Sequence, residues 1–510
     1  MWEVARRRGH VGLGPTVSGP WHTLADMNAV TGWLLWSHRM ASPYGGMTGK
    51  AFAAAARARG VPLSETEVSR TENGESDIAI TALGKYERML DMPPGTLSAP
   101  LRSAARLAPH APGSGRLATL RTVPKSQEAR HQIVDDFYVR YVDGERFTAS
   151  DWLMMVDAIT YRDNSLLPDA LAAQWIRALL DEAMRAVNSA YYLRVEALSA
   201  IAECDRYAMH VLAAVRELTA AKGVSGATDA WGVVSDIRNP EVFDTLIAEL
   251  PSVPDHRLMQ YALALSPPAD RRSFTAAQDR AIATDLERRL ASWSLGSYEP
   301  IATLAAELPK AIGEPILRRI DNVHPLARLT GRRTDRDVTR EVSIYTQAAM
   351  ATTWPDHPHG SVLPELLRLS LSSERAALRY HATTLIYCSP FSPALCDTAA
   401  DLCTSDERPV TRQLATYLIS RLATPDNDER LRLLIKQANG RGLVTNVITA
   451  MAHAGILTDQ DDLQPYLSND DYRDIGVYAA GITHHPDLYS RAADGDAATW
   501  WREKRGGILE

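Results

Sequence analysis

Long hydrophobic runs are missing from this chain of 510 residues: no stretch of 18 consecutive apolar residues occurs. Such a stretch is what a membrane-spanning helix requires. The first residues, Met1-Trp2-Glu3 followed by Arg6-Arg7-Arg8, also lack the apolar segment of a secretion signal. We therefore expect a cytoplasmic protein with no membrane partner.

The chain also lacks the spacings that mark catalytic or metal sites. Its four cysteines show no CxxC spacing and are expected to be buried thiols; they are Cys204, Cys388, Cys396 and Cys403. The histidine pairs at 357/359 and 484/485 do not have metal-ligand spacing and are expected on loop surfaces. No GxxxxGK[ST] or GxSxG motif is present. The sequence thus predicts no metal, no cofactor and no enzyme.

Strand-like alternation is scarce, and apolar residues instead recur at helical spacing between short Pro, Gly, Asn and Asp breaks. The predicted fold class is therefore all-α. At 510 residues the chain exceeds what one hydrophobic core supports, so more than one folding unit is expected. We predict a flexible arm over 1–27, a five-helix domain over 28–108, a linker over 109–125 and a helical-repeat domain over 126–510.

A weak repeat is clearest over residues 374–485. Similar segments begin at Arg379, Arg412, Asn446 and Arg473, each with a small or short residue three positions later. Small residues let neighbouring helices approach, and stacked helix pairs bury faces that none could bury alone. The pattern is similar to HEAT-like or TPR-like solenoids, although the positions that specify TPR are missing. An irregular helical bundle is the alternative.

Charge is unevenly distributed along the sequence. Residues 1–125 hold 15 Lys/Arg against 9 Asp/Glu, whereas the remainder holds 40 against 53. A basic leading segment suits DNA, because phosphate contacts dominate protein–DNA affinity. Random variation of surface charge is the alternative explanation, so motifs must decide between them.

The most informative segment is Ser64 to Gly74. Ser64-Glu65-Thr66-Glu67 has the form of a capping box, which fixes the start of a short helix. Asn73-Gly74 supplies its end, because glycine tolerates the left-handed conformation beyond the last turn. The pattern places Val68 inward and the polar residues Glu65, Thr66, Ser69, Arg70 and Asn73 on the outward face.

Val68-Ser69-Arg70-Thr71-Glu72-Asn73-Gly74 resembles the signature that ends the recognition helix of Xre/Cro/CI-type helix-turn-helix regulators. The resemblance covers about residues 29–92 and implies a λ-repressor-like five-helix domain that binds double-stranded DNA. It further implies that Arg39 pairs with Glu72, and that Ala53 is kept small so that the second helix packs near Val68. Two features depart from the family: a longer turn before the recognition helix, and Gly49 in place of a DNA-contacting Gln.

Carried onto this sequence, the resemblance assigns two kinds of DNA contact. Glu65, Thr66 and Arg70 would face base edges in the major groove with Ser69 close by, and Arg70 is the best candidate because arginine can bond O6 and N7 of guanine. The expected phosphate contacts are Thr48, Lys50, Ser64 and Asn73. The three arginines of the arm could lie in a minor groove, although an inert tail is the simpler interpretation.

These observations predict a sequence-specific transcriptional regulator of repressor type, acting as a homodimer. The helical-repeat domain would supply the dimer contact and could sense a peptide or protein effector. Two alternatives remain at this point: a DNA-tethered interaction scaffold, for example in phage defence or plasmid maintenance, and a protein-binding molecule whose DNA-binding domain is degenerate.

Overall fold

A computed structural model describes residues 26–121, 123–124, 126–161, 167–220, 227–266, 274–292, 298–323, 334–351, 359–406, 408–490, 493, 495–504 and 506–508, with the backbone alone at 76–81, 227–228 and 323. Within these ranges the regular structure is helical, with one isolated β-bridge between Ala186 and Ile508. The predicted all-α class is therefore confirmed. Residues 1–25, which hold nearly all of the predicted arm and its three arginines, lie outside the described residues.

Five short helices come first and are called the head. They are α1 (Met27–Ala41), α2 (Gly49–Ala58), α3 (Glu65–Glu72), α4 (Ser76–Met89) and α5 (Ser98–Leu107). Polar side chains fix where the first three begin, since Asp26, Thr48 and Ser64 each accept a backbone N–H of the first turn. The α5 N-terminus is capped from a distance, because the buried Glu87 carboxylate accepts from the backbone N–H groups of Gly95, Leu97 and Ser98.

A short helix, α6 (Ser114–Ala118), connects the head to a group of helices called the first array. The first array comprises α7 (Gln127–Val142), α8 (Ala149–Ile159), α9 (Asp169–Arg185), α10 (Asn188–Ala202), α11 (Asp205–Ala220), α12 (Ala227–Val234), α13 (Pro240–Glu249), α14 (Leu258–Ala264), α15 (Ala276–Ser292), α16 (Glu299–Glu307) and α17 (Lys310–Val323). Its even-numbered helices α8, α10, α12, α14 and α16 pack in sequence, each against the next.

The remaining helices form the second array. They are α18 (Asp335–Ala351), α19 (Val362–Ser372), α20 (Ala376–Tyr387), α21 (Ser392–Ser405), α22 (Pro409–Leu422), α23 (Asp428–Gln437), α24 (Arg441–His453), α25 (Gln464–Leu467), α26 (Arg473–Ile482) and α27 (Asp496–Lys504). Here α20, α22, α24 and α26 pack one against the next. The four repeated segments of the sequence fall on these four helices.

The small repeat positions lie where helices meet. Ala382 and Ala415 are fully buried. At Gly476 an added methyl group would come within 3.0 Å of the Leu467 backbone nitrogen on α25. A larger side chain there would push two helices apart.

The head is packed into the rest of the molecule. Its apolar residues share one hydrophobic core with those of the second array. Trp33 of α1 stacks on Phe391 with ring centroids 5.9 Å apart, and His38 Nε2 lies 2.6 Å from the Cys388 carbonyl oxygen. Helix α5 is buried along its whole length and contacts both α10 and α20. It therefore lies between the two arrays.

The segment predicted as a linker, 109–125, is packed where the structure describes it. The Met27 backbone N–H donates to the Pro112 carbonyl at 3.0 Å, and Leu117 of α6 is fully buried. Gly113 has φ +85° and packs closely on Asn28. A methyl group at position 113 would lie 2.2 Å from the side-chain oxygen of Asn28. Pro109, Pro112 and Gly113 lie in tight turns of this segment.

The cysteines and histidines outside the head only partly follow the burial that the sequence predicts. Cys204, Cys396 and Cys403 are buried free thiols and Cys388 is half-buried. His485 was expected on a loop surface and is instead buried, because its Nδ1 accepts the Asp487 backbone N–H at the start of a short 3₁₀ turn. In the described part of the chain no helix is long and apolar enough to cross a bilayer.

Candidate nucleic-acid interface

The residues that the sequence assigns to DNA contact share one surface of the head, here called the candidate DNA face. It is made by the N-terminal ends of α2 and α3 and the outward side of α3. All eight members are exposed: Thr48, Lys50, Ser64, Glu65, Thr66, Ser69, Arg70 and Asn73. Two capped helix N-termini, at Thr48 and Ser64, open onto this surface, and such ends favour anions.

Only one of the two hydrogen bonds of the predicted capping box is present at the start of α3. Ser64 Oγ accepts from the Glu67 backbone N–H at 3.1 Å. Glu67 does not reach back to Ser64, because its carboxylate instead pairs with the Lys85 ammonium group on α4. A charged donor binds a carboxylate more strongly than a backbone amide does. Glu67 therefore ties α3 to α4.

The end of α3 depends on a close approach between α3 and α1. Gly74 adopts φ +67°, as the sequence predicts, and a methyl group there would lie 2.8 Å from the Asn28 carbonyl oxygen. Gly32 in the middle of α1 faces the same contact, since its methyl group would lie 2.8 Å from the Gly74 nitrogen. The two glycines thus set the spacing between α1 and the C-terminal end of α3.

Gly74→Ala should destabilise the protein more than Gly60→Ala does. Both glycines have positive φ, but a methyl group at Gly60 meets nothing within 4 Å, so only Gly74→Ala adds a backbone clash to the conformational strain. We expect the free energy of unfolding to fall by about 1 kcal/mol in Gly60→Ala and by about 2–3 kcal/mol in Gly74→Ala. Thermal unfolding of the two variants measures this difference, and equal losses would show that the α1–α3 contact is not tight.

A buried ion pair braces the head. Arg39 Nε lies 2.5 Å from Glu72 Oε1, and Arg39 Nη2 donates to Glu72 Oε2 at 2.7 Å, so the pair is bidentate. The Tyr86 hydroxyl donates to Glu72 at 2.9 Å, and Arg39 Nη1 donates to the Met47 carbonyl at 3.1 Å, just before α2. One guanidinium therefore fixes the end of α3 relative to the start of α2. Ala53 and Val68 are buried in the core beside this brace.

Burial and pairing shift the pKa values of the brace. Burial opposes the charged form of Arg39, but its hydrogen bonds to Glu72 outweigh this and raise the pKa of the guanidinium. Burial, followed by the charge of Glu72, raises the pKa of Tyr86 well above its ordinary value. The tyrosine is therefore a neutral hydrogen-bond donor to Glu72, and the Arg39 guanidinium stays charged.

Arg70 on the candidate DNA face has an acidic neighbour. Its Nε donates to Glu75 Oε2 at 2.6 Å, and both side chains are about half exposed. Exposed ion pairs contribute only about 0–1 kcal/mol, so Arg70 can exchange this partner for another acceptor at small cost. Glu65 adds a second negative charge to the face. The face is therefore polar and nearly balanced in charge.

The positive excess of residues 1–125 does not lie on this face. Three of its arginines, at positions 6–8, lie outside the described residues. Three others pair with Asp157 or Glu196 of the first array: Arg102 and Arg106, which are buried, and Arg121, which is half-buried. These six arginines match in number the whole excess of basic over acidic residues in 1–125. The uneven charge reflects packing between the head and the first array at least as much as attraction to DNA.

The second array also reaches α3. His359, in the turn before α19, hydrogen-bonds to the backbone of Glu72 and Asn73, while burial lowers the pKa of its imidazole. The side of the C-terminal end of α3 that carries Glu72 is thus covered, whereas Ser69, Arg70 and Asn73 and the N-terminal turn are open to solvent. Any shift of the second array against the head would act directly on α3.

Sequence reasoning missed Tyr86, Gly32 and the Met47 carbonyl as parts of this site. Gly32 had a readable signal, because a glycine inside a helical pattern weakens the helix and often marks a close approach. Tyr86 had none, since an aromatic residue at helical spacing is usually a core residue. Among the described residues no three His, Cys, Asp or Glu side chains form a group that could hold a metal ion. No protein-family model, curated protein or solved structure matches the chain.

Proposed function

We propose that this protein is a sequence-specific DNA-binding transcriptional regulator of repressor type. The observation that carries the proposal is the candidate DNA face: a short capped helix, held at its end by the Arg39–Glu72 pair, with its outward polar side chains exposed. An exposed recognition helix on a rigid support is what reading of base edges in the major groove requires.

Within this proposal Arg70 reads a guanine, and Glu65 and Thr66 also face base edges with Ser69 close by. The DNA phosphates are contacted by Thr48, Lys50, Ser64 and Asn73. The Arg70 guanidinium leaves Glu75 and donates to O6 and N7, which discriminates against other bases by about 1–3 kcal/mol. Thr48 and Ser64 place two helix N-termini near phosphates, and Lys50 adds a charge beside them. Gly49 leaves room at the start of α2, since even a methyl group there would only touch Val68 at 3.5 Å.

The charge balance of the face favours a regulator over a DNA tether. Sequence-independent tethering depends on many exposed cations that release counterions from DNA. The candidate DNA face offers two, Lys50 and Arg70, beside the carboxylates of Glu65 and Glu75. Affinity in this proposal therefore comes from base contacts and from doubling of the site in a homodimer.

The helical arrays are proposed to act as a solenoid that supplies dimerisation and effector sensing. Large exposed apolar side chains cluster on α7 and α8: Tyr138, Val139, Val142 and Met154. Such patches are typical of protein interfaces, and we place the contact between two copies there. An effector peptide or protein that shifts the second array would reach α3 through His359.

Arg70→Ala is expected to weaken binding to the preferred duplex by about 5- to 150-fold and to relax specificity at one base position. Lys50→Ala should weaken binding to all duplexes and reduce the salt slope by about one. Fluorescence anisotropy with the full chain measures both effects. Arg57→Ala, which removes an exposed arginine at the other end of α2, is the matched control. Unchanged affinity and specificity in Arg70→Ala would contradict the assigned role.

A further inference from the structure

A cavity of about 410 Å³, partly open to solvent, lies between the two arrays. Its walls come from α10, α12, α14 and α16 of the first array, from α20 and α22 of the second, and from α5 of the head. A smaller cavity of about 170 Å³ adjoins it, and both are lined by Tyr191, Asp229 and Arg421. Cavities of several hundred cubic ångströms commonly hold small ligands.

Arg421 on α22 is the first feature that points to a ligand. This residue is half-buried, and its side chain borders both cavities. Its Cζ lies 5.7 Å from the centroid of the Tyr380 ring. Among the described residues no acceptor hydrogen-bonds to the guanidinium and no carboxylate lies within 4.0 Å of it. A half-buried cation that faces a cavity without a protein acceptor favours a bound anionic group at this place.

Asp229 on α12 is the second feature. It borders the same two cavities, and its carboxylate is the charge that most stabilises Arg421 across them. In the described ranges it too has no hydrogen bond and no ion pair. The other cavity charges differ in this respect, since Arg379 pairs with Glu299, and Asp236 lies 3.8 Å from Arg106. One cation and one anion are therefore left to face the cavity.

The remaining wall is aromatic and apolar. Tyr191, Tyr380 and Tyr417 lie on the side of the two charges. Apolar surface comes from Leu107, Val195, Met259 and Leu263. His381 also lines the cavity, and its Nδ1 is buried without a hydrogen-bond partner in the described structure. Burial lowers the pKa of His381 to about 3, so the ring is neutral and can either donate or accept.

We propose that this cavity binds a small zwitterion of the amino-acid type, with its carboxylate on Arg421, its ammonium group on Asp229 and an apolar side chain against Met259 and Leu263. A simple anion would leave its own charge close to Asp229, and a simple cation would meet Arg421. A molecule carrying both charges satisfies both residues at once. Free amino acids and dipeptides share this chemistry, and the volume accommodates either.

The cavity also touches the head, because Ser103 and Leu107 of α5 form part of its wall. We infer that a ligand bound here acts on the head through α5, as an effector of DNA binding. Only this effector role rests on the proposed DNA-binding function. Binding itself is independent of that function and is measured without DNA, so failure of one proposal does not decide the other.

The test is thermal shift and calorimetry of the full chain with the free amino acids and a set of apolar dipeptides. Binding of at least one apolar member is expected, and blocking either its carboxylate as an amide or its amine as an acetyl group should reduce affinity about tenfold or more. Failure of every member to bind, or undiminished binding of both blocked derivatives, would overturn the proposal.

Variants separate ligand recognition from folding. Arg421→Met and Asp229→Asn should each abolish the thermal shift, while the melting temperature of the unliganded protein stays close to that of wild type, because neither side chain has a hydrogen bond or ion pair with the described residues to lose. Arg412→Met, which makes the same substitution at an exposed position of α22, should bind the ligand like wild type. Normal ligand binding in both cavity variants would contradict the site. Loss of ligand binding in Arg412→Met would contradict it too.

Discussion

Glu196→Ala is expected to lower the free energy of unfolding by about 3–5 kcal/mol. The Glu196 carboxylate on α10 is fully buried and serves two buried guanidinium groups of α5. Arg102 Nε lies 2.9 Å from Glu196 Oε1, Arg106 Nη1 donates to the same oxygen at 2.9 Å, and Ser103 Oγ donates to Oε2 at 2.6 Å. Arg102 also makes a bidentate pair with Asp157 on α8. Removing Glu196 leaves excess positive charge in the interior.

Glu217→Ala is the matched control for this loss. Glu217 pairs with Arg177 at 2.9 Å, but both side chains are more than half exposed. Exposed pairs contribute at most about 1 kcal/mol, so this variant should unfold close to wild type in urea. If Glu196→Ala unfolded at the same urea concentration as Glu217→Ala, the network would not be what holds α5 between the arrays.

The same network predicts acid sensitivity. Burial alone would raise the pKa of the Glu196 carboxyl, but the charges of Arg106 and Arg102 outweigh burial and lower it below 4.5. A carboxyl whose pKa is lower in the folded state stabilises the protein above its ordinary pKa and loses that contribution as the pH falls through the folded value. Stability should therefore fall below about pH 4.5, and more weakly in Glu196→Gln, which has no carboxyl to protonate. An identical pH dependence in wild type and Glu196→Gln would contradict this assignment.

Glu72→Ala is expected to lower the free energy of unfolding by about 3–5 kcal/mol as well. In this variant Arg39 would remain buried without its carboxylate partner, and the Tyr86 hydroxyl would lose its acceptor. The end of α3 would lose its brace, so specific DNA binding should fall together with stability. Hydrogen exchange followed by mass spectrometry would show faster exchange in α1 and α3 than in the first array. Protection of α3 equal to that in wild type would show that the pair does not brace it.

Two further variants distinguish loss of the pair from loss of one carboxylate. Glu75→Ala removes the exposed partner of Arg70 and should change stability by less than about 1 kcal/mol. Arg39→Met combined with Glu72→Met removes both buried charges, and replacing such a pair by apolar groups is often neutral. The double variant should therefore be more stable than Glu72→Ala alone. Equal or lower stability would contradict an uncompensated charge as the cause.

Local signals predicted the bounds of α3. The cap at Ser64 and the left-handed glycine at Gly74 are read from adjacent residues, and the structure has α3 over Glu65–Glu72 between them. The Arg39–Glu72 contact was implied by resemblance, since nothing in composition or periodicity joins residues 33 positions apart. The capping box was half right because Lys85, on another helix, competes for Glu67.

Long-range packing was beyond sequence reasoning. Arg102 and Arg106 resembled ordinary basic residues of a DNA-binding segment, because their partners lie 55 to 130 positions further along the chain. The glycine-rich segment after α5 read as a linker because turn residues and linker residues are the same types. The cavity charges Arg421 and Asp229 come from helices nearly 200 positions apart, so no spacing could connect them.

The most direct test of the DNA-binding proposal is selection of bound duplexes from a random pool by the full chain, followed by sequencing. The proposal predicts enrichment of an inverted repeat whose half-sites lie one or more helical turns apart, with a guanine position that loses its preference in Arg70→Ala. Flat enrichment, or a preference that Arg70→Ala leaves intact, would contradict sequence reading by α3.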